Sequence, residues 1–444
     1  MTVNSKLKID DRTKNVSVNI VYSLIVKSLN ILINLLIVPV SLNVLDNTQY
    51  GIWMTLTSVI SWISMFDIGL GNGLRNVLSK ELAVSNSKES QNYVSTTYFL
   101  LGIITIVLTL LFLPLNNFID WTIIFNTSYS YKNELSQLVK IVFCLFFVKL
   151  TIQTIKIILI ADQRSAYSNL LETLGNGLGL LVIYLLSRFS DPSLIEFGTI
   201  FTGVPIVVFI IFSVFLFSGK YKSIKPRFKY VKIKYSKLLL NTGFQFFIIQ
   251  FAVVVIFQTS NILVAQFFSP EEVTPYNIAF KYFGVIPMLW AIIMMPMWSA
   301  FTHALALKDF IWMKKTMKKL NILMILFFVL SLFMIPLGSD IIAIWTNDRI
   351  SISTNMLVVF SIYAIINIWN NTYSYFLNGV GFVKLQMITS IVAMLVHIPL
   401  SYFFVKYVGF GSEGVALSMV VVLSFFAIVG PIQTINLFRH KWKI

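Results

Sequence analysis

IVVFIIFSVFLFSGKYKSIKPRFKYVKIKYSK (206–237) decides how this chain is built. Its first twelve residues carry one hydroxyl and no charge. They end an apolar run that starts near residue 195, too long for a core strand and long enough to cross a bilayer as a helix. The remainder, 218–237, holds eight cations (Lys220, Lys222, Lys225, Arg227, Lys229, Lys232, Lys234 and Lys237) and no acid. Lys and Arg collect on the cytoplasmic side of membrane proteins, so this loop reads as a topogenic signal in contact with anionic headgroups. It lies at the midpoint of 444 residues, with apolar runs of similar length on both sides.

Composition agrees with that reading. Hydrophobic residues make up 57% and charged residues 12%, whereas soluble domains are about 25% charged. A soluble enzyme, a disordered chain and a disulfide scaffold are excluded. The apolar segments are continuous rather than alternating, which argues against a β-barrel. Residues 1–16 are polar and the run after them is too long for a cleavable signal. The one cysteine, Cys144, sits in an apolar run as a packed side chain. His303, His397 and His440 are far apart and fit no short metal motif.

The hydropathy pattern predicts an all-α integral membrane protein with twelve spans: 17–45, 50–72, 93–115, 135–160, 166–187, 195–217, 238–268, 276–306, 320–337, 354–379, 385–405 and 413–437. With the N-terminus cytoplasmic, the inside segments carry 25 Lys and Arg and the outside segments four. That asymmetry predicts a multi-pass protein with both termini cytoplasmic and a long inside loop after spans two and eight. Tyr50 opens span two and Tyr276 opens span eight, and short connections follow spans four and ten. Two parallel six-helix lobes, 1–230 and 231–444, are the expected division.

Five cations remain inside spans: Lys27, Lys140, Lys149, Lys156 and Lys281. Besides Glu196 and Glu413 at the first residues of their spans, two acids accompany them, Asp67 and Glu172. Embedded charges are costly in hydrocarbon and usually face a bundle interior or a water-filled cavity. Lys140, Lys156 and Lys281 are close enough to a span end to snorkel to the headgroups. Lys149 and Lys27 lie deeper, which favours a ligand-facing role over a salt bridge to Asp67 or Glu172. Lys149, Gln153 and Lys156 share one helical face. No acid on their own helix lies at i±3 or i±4 from either lysine, so an anionic ligand, an acid from another span, or a neutral lysine must relieve their repulsion.

FDIGLGNGLRN (66–76) ends span two. Gly69, Gly71 and Gly73 alternate and Arg75 follows, without the spacing of a dinucleotide fingerprint. These glycines suit close helix packing or a bend, and Asp67 has Arg75 or an embedded lysine as candidate partners. There is no phosphate-binding GxxxxGK[ST] loop, so transport would draw on an ion gradient, the membrane potential or product consumption. Pro287 and Pro296 predict breaks in span eight. Trp290, Trp298, Trp312 and Trp345 read chiefly as interfacial anchors.

FDIGLGNGLRNVLSKELAVSNSKESQNYVSTTYF (66–99) resembles the signature of the bacterial polysaccharide-repeat flippases, the O-antigen (Wzx-type) transporters. DQRSAYSNLLETLGNGLGL (162–180) and FLNGVGFVKLQ (376–386) are similar to later loops of that family. The resemblance implies the multidrug/oligosaccharidyl-lipid/polysaccharide exporter superfamily, with two six-helix lobes around a central cavity. It implies no enzymatic activity. The implied action is movement of undecaprenyl-pyrophosphate-linked oligosaccharide to the outer leaflet of the bacterial plasma membrane, by alternating access, for O-antigen or capsule.

On that reading Lys27, Lys149, Lys156 and Lys281 are candidate anion contacts, and Asp67, Gly69, Gly71, Gly73, Arg75 and Glu172 are structural or gating candidates. No cofactor, metal or nucleic acid is expected. A monomer in membrane lipid is expected, with a proton or sodium gradient as candidate energy source and a polysaccharide polymerase as candidate partner. The competing readings are an ion-coupled small-molecule or drug antiporter and a peptidoglycan-precursor flippase. Five embedded cations against two acids favour an anionic substrate over a cationic one.

Overall fold

A computed structural model describes residues 25–26, 28–63, 70–83, 85–162, 164–236 and 244–442. Among them there is no strand. In chain order the helices are α1 (Ser28–Val44), α2 (Asn47–Ile63), α3 (Leu70–Ala83), α4 (Ser87–Asn116) and α5 (Trp121–Phe125). Then come α6 (Lys132–Ile152), α7 (Thr154–Ala161), α8 (Ser165–Leu186), α9 (Leu194–Ser218) and α10 (Phe244–Phe267). The last five are α11 (Pro270–Ala306), α12 (Phe310–Thr346), α13 (Thr354–Gly379), α14 (Lys384–Tyr402) and α15 (Glu413–Asn436).

Eight helical segments among the described residues are long and apolar enough to cross a membrane. They coincide with predicted spans three to six, eight, nine, eleven and twelve. Their outer faces carry large apolar side chains, as in Leu110 at 65% and Leu326 at 63% exposure. Such faces are stable only against lipid. α13 has the length of a span, but Asn367, Asn370, Asn371 and Thr372 make its second half polar.

The chain forms two compact units. The first comprises residues 1–44, 63–121 and 130–244, and the second 45–62, 122–129 and 245–444. In the first, Leu70, Leu74, Val77 and Leu78 of α3 pack with Tyr93, Ile155, Leu159, Phe209 and Phe217. Their i, i+4, i+7, i+8 spacing makes an apolar stripe, so residues 73–83, read from charge as a loop after span two, are helical to Ala83. Asn86 then caps α4, accepting from the Glu89 N–H at 3.3 Å.

In the second unit α2 joins the start of α11. The Thr48 hydroxyl donates to Glu271 Oε1 at 2.5 Å, and Thr274 donates to the Asn47 carbonyl at 2.7 Å. Gly51 permits this approach, since a Cβ there would lie 1.7 Å from the Pro270 carbonyl oxygen. Two expectations are corrected here. α11 is continuous through Pro287 and Pro296, as helices in lipid often are when neighbours re-satisfy the freed backbone groups. Trp290 is fully buried, donating from Nε1 to Thr372 Oγ1 at 3.0 Å, so it anchors the bundle core rather than the interface.

Candidate functional site

The first unit holds an ionic cluster where α6 and α7 meet α8. α6 ends at Ile152, Gln153 takes a tight turn at φ −67° and ψ −5°, and α7 resumes at Thr154. No proline causes this break. Instead Thr105 of α4 donates to the Phe147 carbonyl at 2.7 Å and lies 2.9 Å from the Thr151 hydroxyl. A foreign hydroxyl inserted into the helical ladder is a recognised source of kinks. The break separates Lys149, in the last turn of α6, from Lys156, in the first turn of α7.

Lys156 Nζ lies 2.5 Å from Glu172 Oε2 and 5.9 Å from the centre of the Phe209 ring. Lys156 therefore ends on a carboxylate of α8. Glu172 is an acid from another span, one of the three ways that the spacing of Lys149 and Lys156 left open to relieve their repulsion. Lys149 is half-buried, and its backbone carbonyl accepts from the Gln153 N–H at 2.9 Å. It feels the Glu172 carboxylate and the Lys156 ammonium electrostatically. Two lysine amines thus lie around one carboxylate within a membrane-embedded bundle.

α1 adds neutral donors beside this cluster. Asn30 Nδ2 donates to Thr173 Oγ1 at 3.2 Å, and Asn34 Nδ2 donates to Asn30 Oδ1 at 2.8 Å. The sequence reading passed over these asparagines, although their i, i+4 spacing in an apolar run was the available signal. Gly175 brings α8 onto α9, since a Cβ there would lie 2.9 Å from Pro205 Cα.

The basic loop is an ordered strap on the first unit. Gln91 Nε2 donates to the Lys225 carbonyl at 2.8 Å, the Arg227 N–H to Ser95 Oγ at 3.1 Å, and the Lys232 N–H to Thr96 Oγ1 at 2.9 Å. The Tyr235 hydroxyl donates to Glu89 Oε2 at 2.6 Å. That bond, with burial second, pushes the Tyr235 phenol up to about 12. At the other end Asp162 accepts from Tyr221 Oη at 2.7 Å and pairs with Arg164 at 3.1 Å and with Lys220. Burial first, then the Asp162 bond, raises the Tyr221 phenol. The loop thus fixes its backbone on α4 while Lys222, Lys225, Arg227, Lys229 and Lys234 stay exposed.

The second unit is built from rings and amides. Lys281 Nζ donates to Tyr50 Oη at 2.9 Å, so it too ends on a protein partner. Tyr276, Phe280, Phe360 and Tyr363 form a ring cluster with centroids 5.1–6.2 Å apart. Along α13, Asn367 donates to Tyr363 Oη at 3.2 Å and Asn371 to Asn367 Oδ1 at 2.8 Å. His397 is fully buried, its ring nitrogens 3.2 Å from Ser260 Oγ and 2.9 Å from Ser418 Oγ.

Of the sequence candidates, Lys149, Lys156 and Glu172 come together, whereas Lys281 belongs to the other unit. Gly71 and Gly73 are buried on α3, and Arg75 is exposed. Lys27, Asp67 and Gly69 lie outside the described residues. Among the described residues no cluster of His, Cys, Asp and Glu could hold a metal ion.

A family model described as polysaccharide biosynthesis protein matches residues 16–301, more than half of the chain. The chain belongs to the polysaccharide biosynthesis protein family. A second model, MatE, matches residues 246–403. A Yersinia pseudotuberculosis protein named for O-antigen export is 24% identical over 355 residues, covering 78% of this chain and 79% of that protein. A Salmonella typhi protein named for O-antigen transport is 22% identical, covering 85% and 86%. An inward-facing multidrug transporter of the MATE family and MOP superfamily superposes with a TM-score of 0.75, over 95% of this chain and 99% of that one. An outward-facing transporter of the same family gives 0.66, over 94% of each chain. At 14% identity both likenesses are of fold alone. The protein is a multi-pass membrane member of this polysaccharide family.

Proposed function

We propose that the protein flips an undecaprenyl-pyrophosphate-linked oligosaccharide from the inner to the outer leaflet of the bacterial plasma membrane. The observation that carries this reading is the Lys149–Lys156–Glu172 cluster. A pyrophosphate loses its hydration when it enters an apolar bundle, and charge-assisted hydrogen bonds from embedded ammonium groups offset that loss. Lys149 supplies a cation beside an ion pair that is already satisfied. The part-buried Asn367 and Asn371 of α13 supply neutral donors of the kind that carbohydrate uses.

On this reading the full architecture is twelve helices in two six-helix lobes, both termini cytoplasmic, working by alternating access as a monomer. A proton or sodium gradient is the energy source, and a polysaccharide polymerase takes the product. The MATE-like fold supports a second reading, an antiporter of small organic cations. Two lysines beside one carboxylate in the first unit's cluster disfavour it.

Reconstitution of the full chain in liposomes separates the two. The flippase reading predicts that fluorescently tagged lipid-linked oligosaccharide becomes accessible to an external reagent, and that organic cations are not moved. Cation efflux without lipid translocation would overturn it.

A further inference from the structure

The second unit carries a groove of about 520 Å³ where the first turns of α12 meet the end of α15. Its walls are graded. Lys314, Lys318 and Arg439 line one end, and Ile322, Ile325 and Ile435 line the other. No carboxylate is among its described lining residues. On α12 the lining positions 314, 318, 322 and 325 follow one helical stripe. At 1.5 Å per residue they run about 16 Å along the axis. Thus one stripe passes from ammonium groups to bare isoleucine within half a leaflet pair. Between these ends Asn321 donates to Tyr373 Oη at 3.2 Å.

The groove is a fixed feature of the fold. Trp442 stacks on Phe310 with centroids 5.0 Å apart and an interplanar angle of 10°. Trp442 also packs against Phe438, at 5.2 Å. These contacts hold the start of α12 to the turn Leu437–Lys441 that bears Arg439. The isoleucine end opens outward, with Ile322 at 59% and Ile325 at 56% exposure. In a multi-pass membrane protein such side chains meet acyl chains.

We infer that this groove binds an anionic phospholipid of the bilayer, its phosphodiester on Lys314, Lys318 and Arg439 and an acyl chain along Ile322, Ile325 and Ile435. Charge complementarity selects the headgroup, since basic pockets between transmembrane helices are suited to acidic lipids. The outward opening selects a lipid drawn from the surrounding membrane. This site is distinct from the Lys149 cluster and does not depend on the proposed flippase activity.

The test is lipid binding by the purified full chain, measured by native mass spectrometry and by thermal melting in detergent. Phosphatidylglycerol should bind and raise the melting temperature, whereas phosphatidylcholine should bind more weakly. Affinity for phosphatidylglycerol should fall about fivefold for each of Lys314→Gln, Lys318→Gln and Arg439→Gln. Arg349→Gln and Lys406→Gln, which remove exposed cations from segments read as lying on the opposite side of the membrane, should leave it unchanged. Lys318→Arg should retain binding, which separates lost charge from a damaged helix. Equal phosphatidylglycerol binding by the triple glutamine variant would overturn the inference. So would an equal effect of soluble glycerol phosphate, which has no acyl chain, or a response to undecaprenyl phosphate alone.

Discussion

The first unit holds Lys156 against the Glu172 carboxylate at 2.5 Å and leaves Lys149 beside that pair. The second holds Lys281 against the Tyr50 hydroxyl at 2.9 Å, with rings and amides filling its core. Both are membrane-embedded helical units, yet they accommodate charge differently. A carboxylate neutralises one lysine and lowers the cost of placing a second nearby, so the first unit can hold two lysines together. A phenol only solvates its lysine and adds an aromatic face, so Lys281 keeps its charge among rings and amides without a carboxylate partner.

The contrast can be broken most severely through packing. Gly51→Val places side-chain atoms on the Pro270 backbone, and the second unit should lose about 3 kcal/mol or more. Little or no monodisperse protein is the expected outcome by size-exclusion chromatography. Gly102→Ala in the first unit meets no atom within 4 Å and should purify normally. Equal yields of the two variants would contradict the account of α2.

Next in size is Glu172→Gln, which leaves Lys149 and Lys156 without their carboxylate. Because Glu172 is about half exposed, the expected destabilisation is about 1–2 kcal/mol. The double variant Lys156→Gln/Glu172→Gln should recover part of it. Additive losses in that thermal-melting cycle would show that the pair is not coupled.

Tyr50→Phe removes the oxygen that accepts from Lys281 and should cost about 1 kcal/mol in the same melting assay. No change would mean that the lysine finds an equivalent partner, and the second unit's phenolic solution would not hold. The smallest effect is expected from Tyr235→Phe, which frees one end of the strap. Limited proteolysis should cut residues 219–236 faster, with the melting temperature nearly unchanged. Since the folded Tyr235 phenol is raised to about 12, from about 10 when unfolded, its bond contributes fully below pH 10. That contribution is lost as pH rises through about 12.

Much of the fold was legible because long apolar runs have few alternatives to a helix. Charge misled where helices continue past the hydrocarbon. Lys314, Lys315, Lys318 and Lys319 suggested a loop, but they sit on the first turns of a 37-residue helix. Arg75 and Lys80 did the same for α3, whose apolar stripe was nonetheless present. The pairing of Glu172 with Lys156 was half-legible, since the spacing left an acid from another span as one of three resolutions and could not say which acid. Gly51 against Pro270 and the burial of Trp290 depend on which helices meet, and periodicity on one helix does not encode that. The strap was read from its cations alone, whereas its backbone bonds to Gln91, Ser95 and Thr96 fix its place.

The central claim is that Lys149 meets the anionic headgroup of a lipid-linked sugar. Its most direct test replaces Lys149 by alanine in cells that depend on this protein for surface polysaccharide. The account predicts normal membrane levels of the protein, loss of surface polymer, and recovery with Lys149→Arg. Normal surface polysaccharide in the Lys149→Ala strain would contradict it.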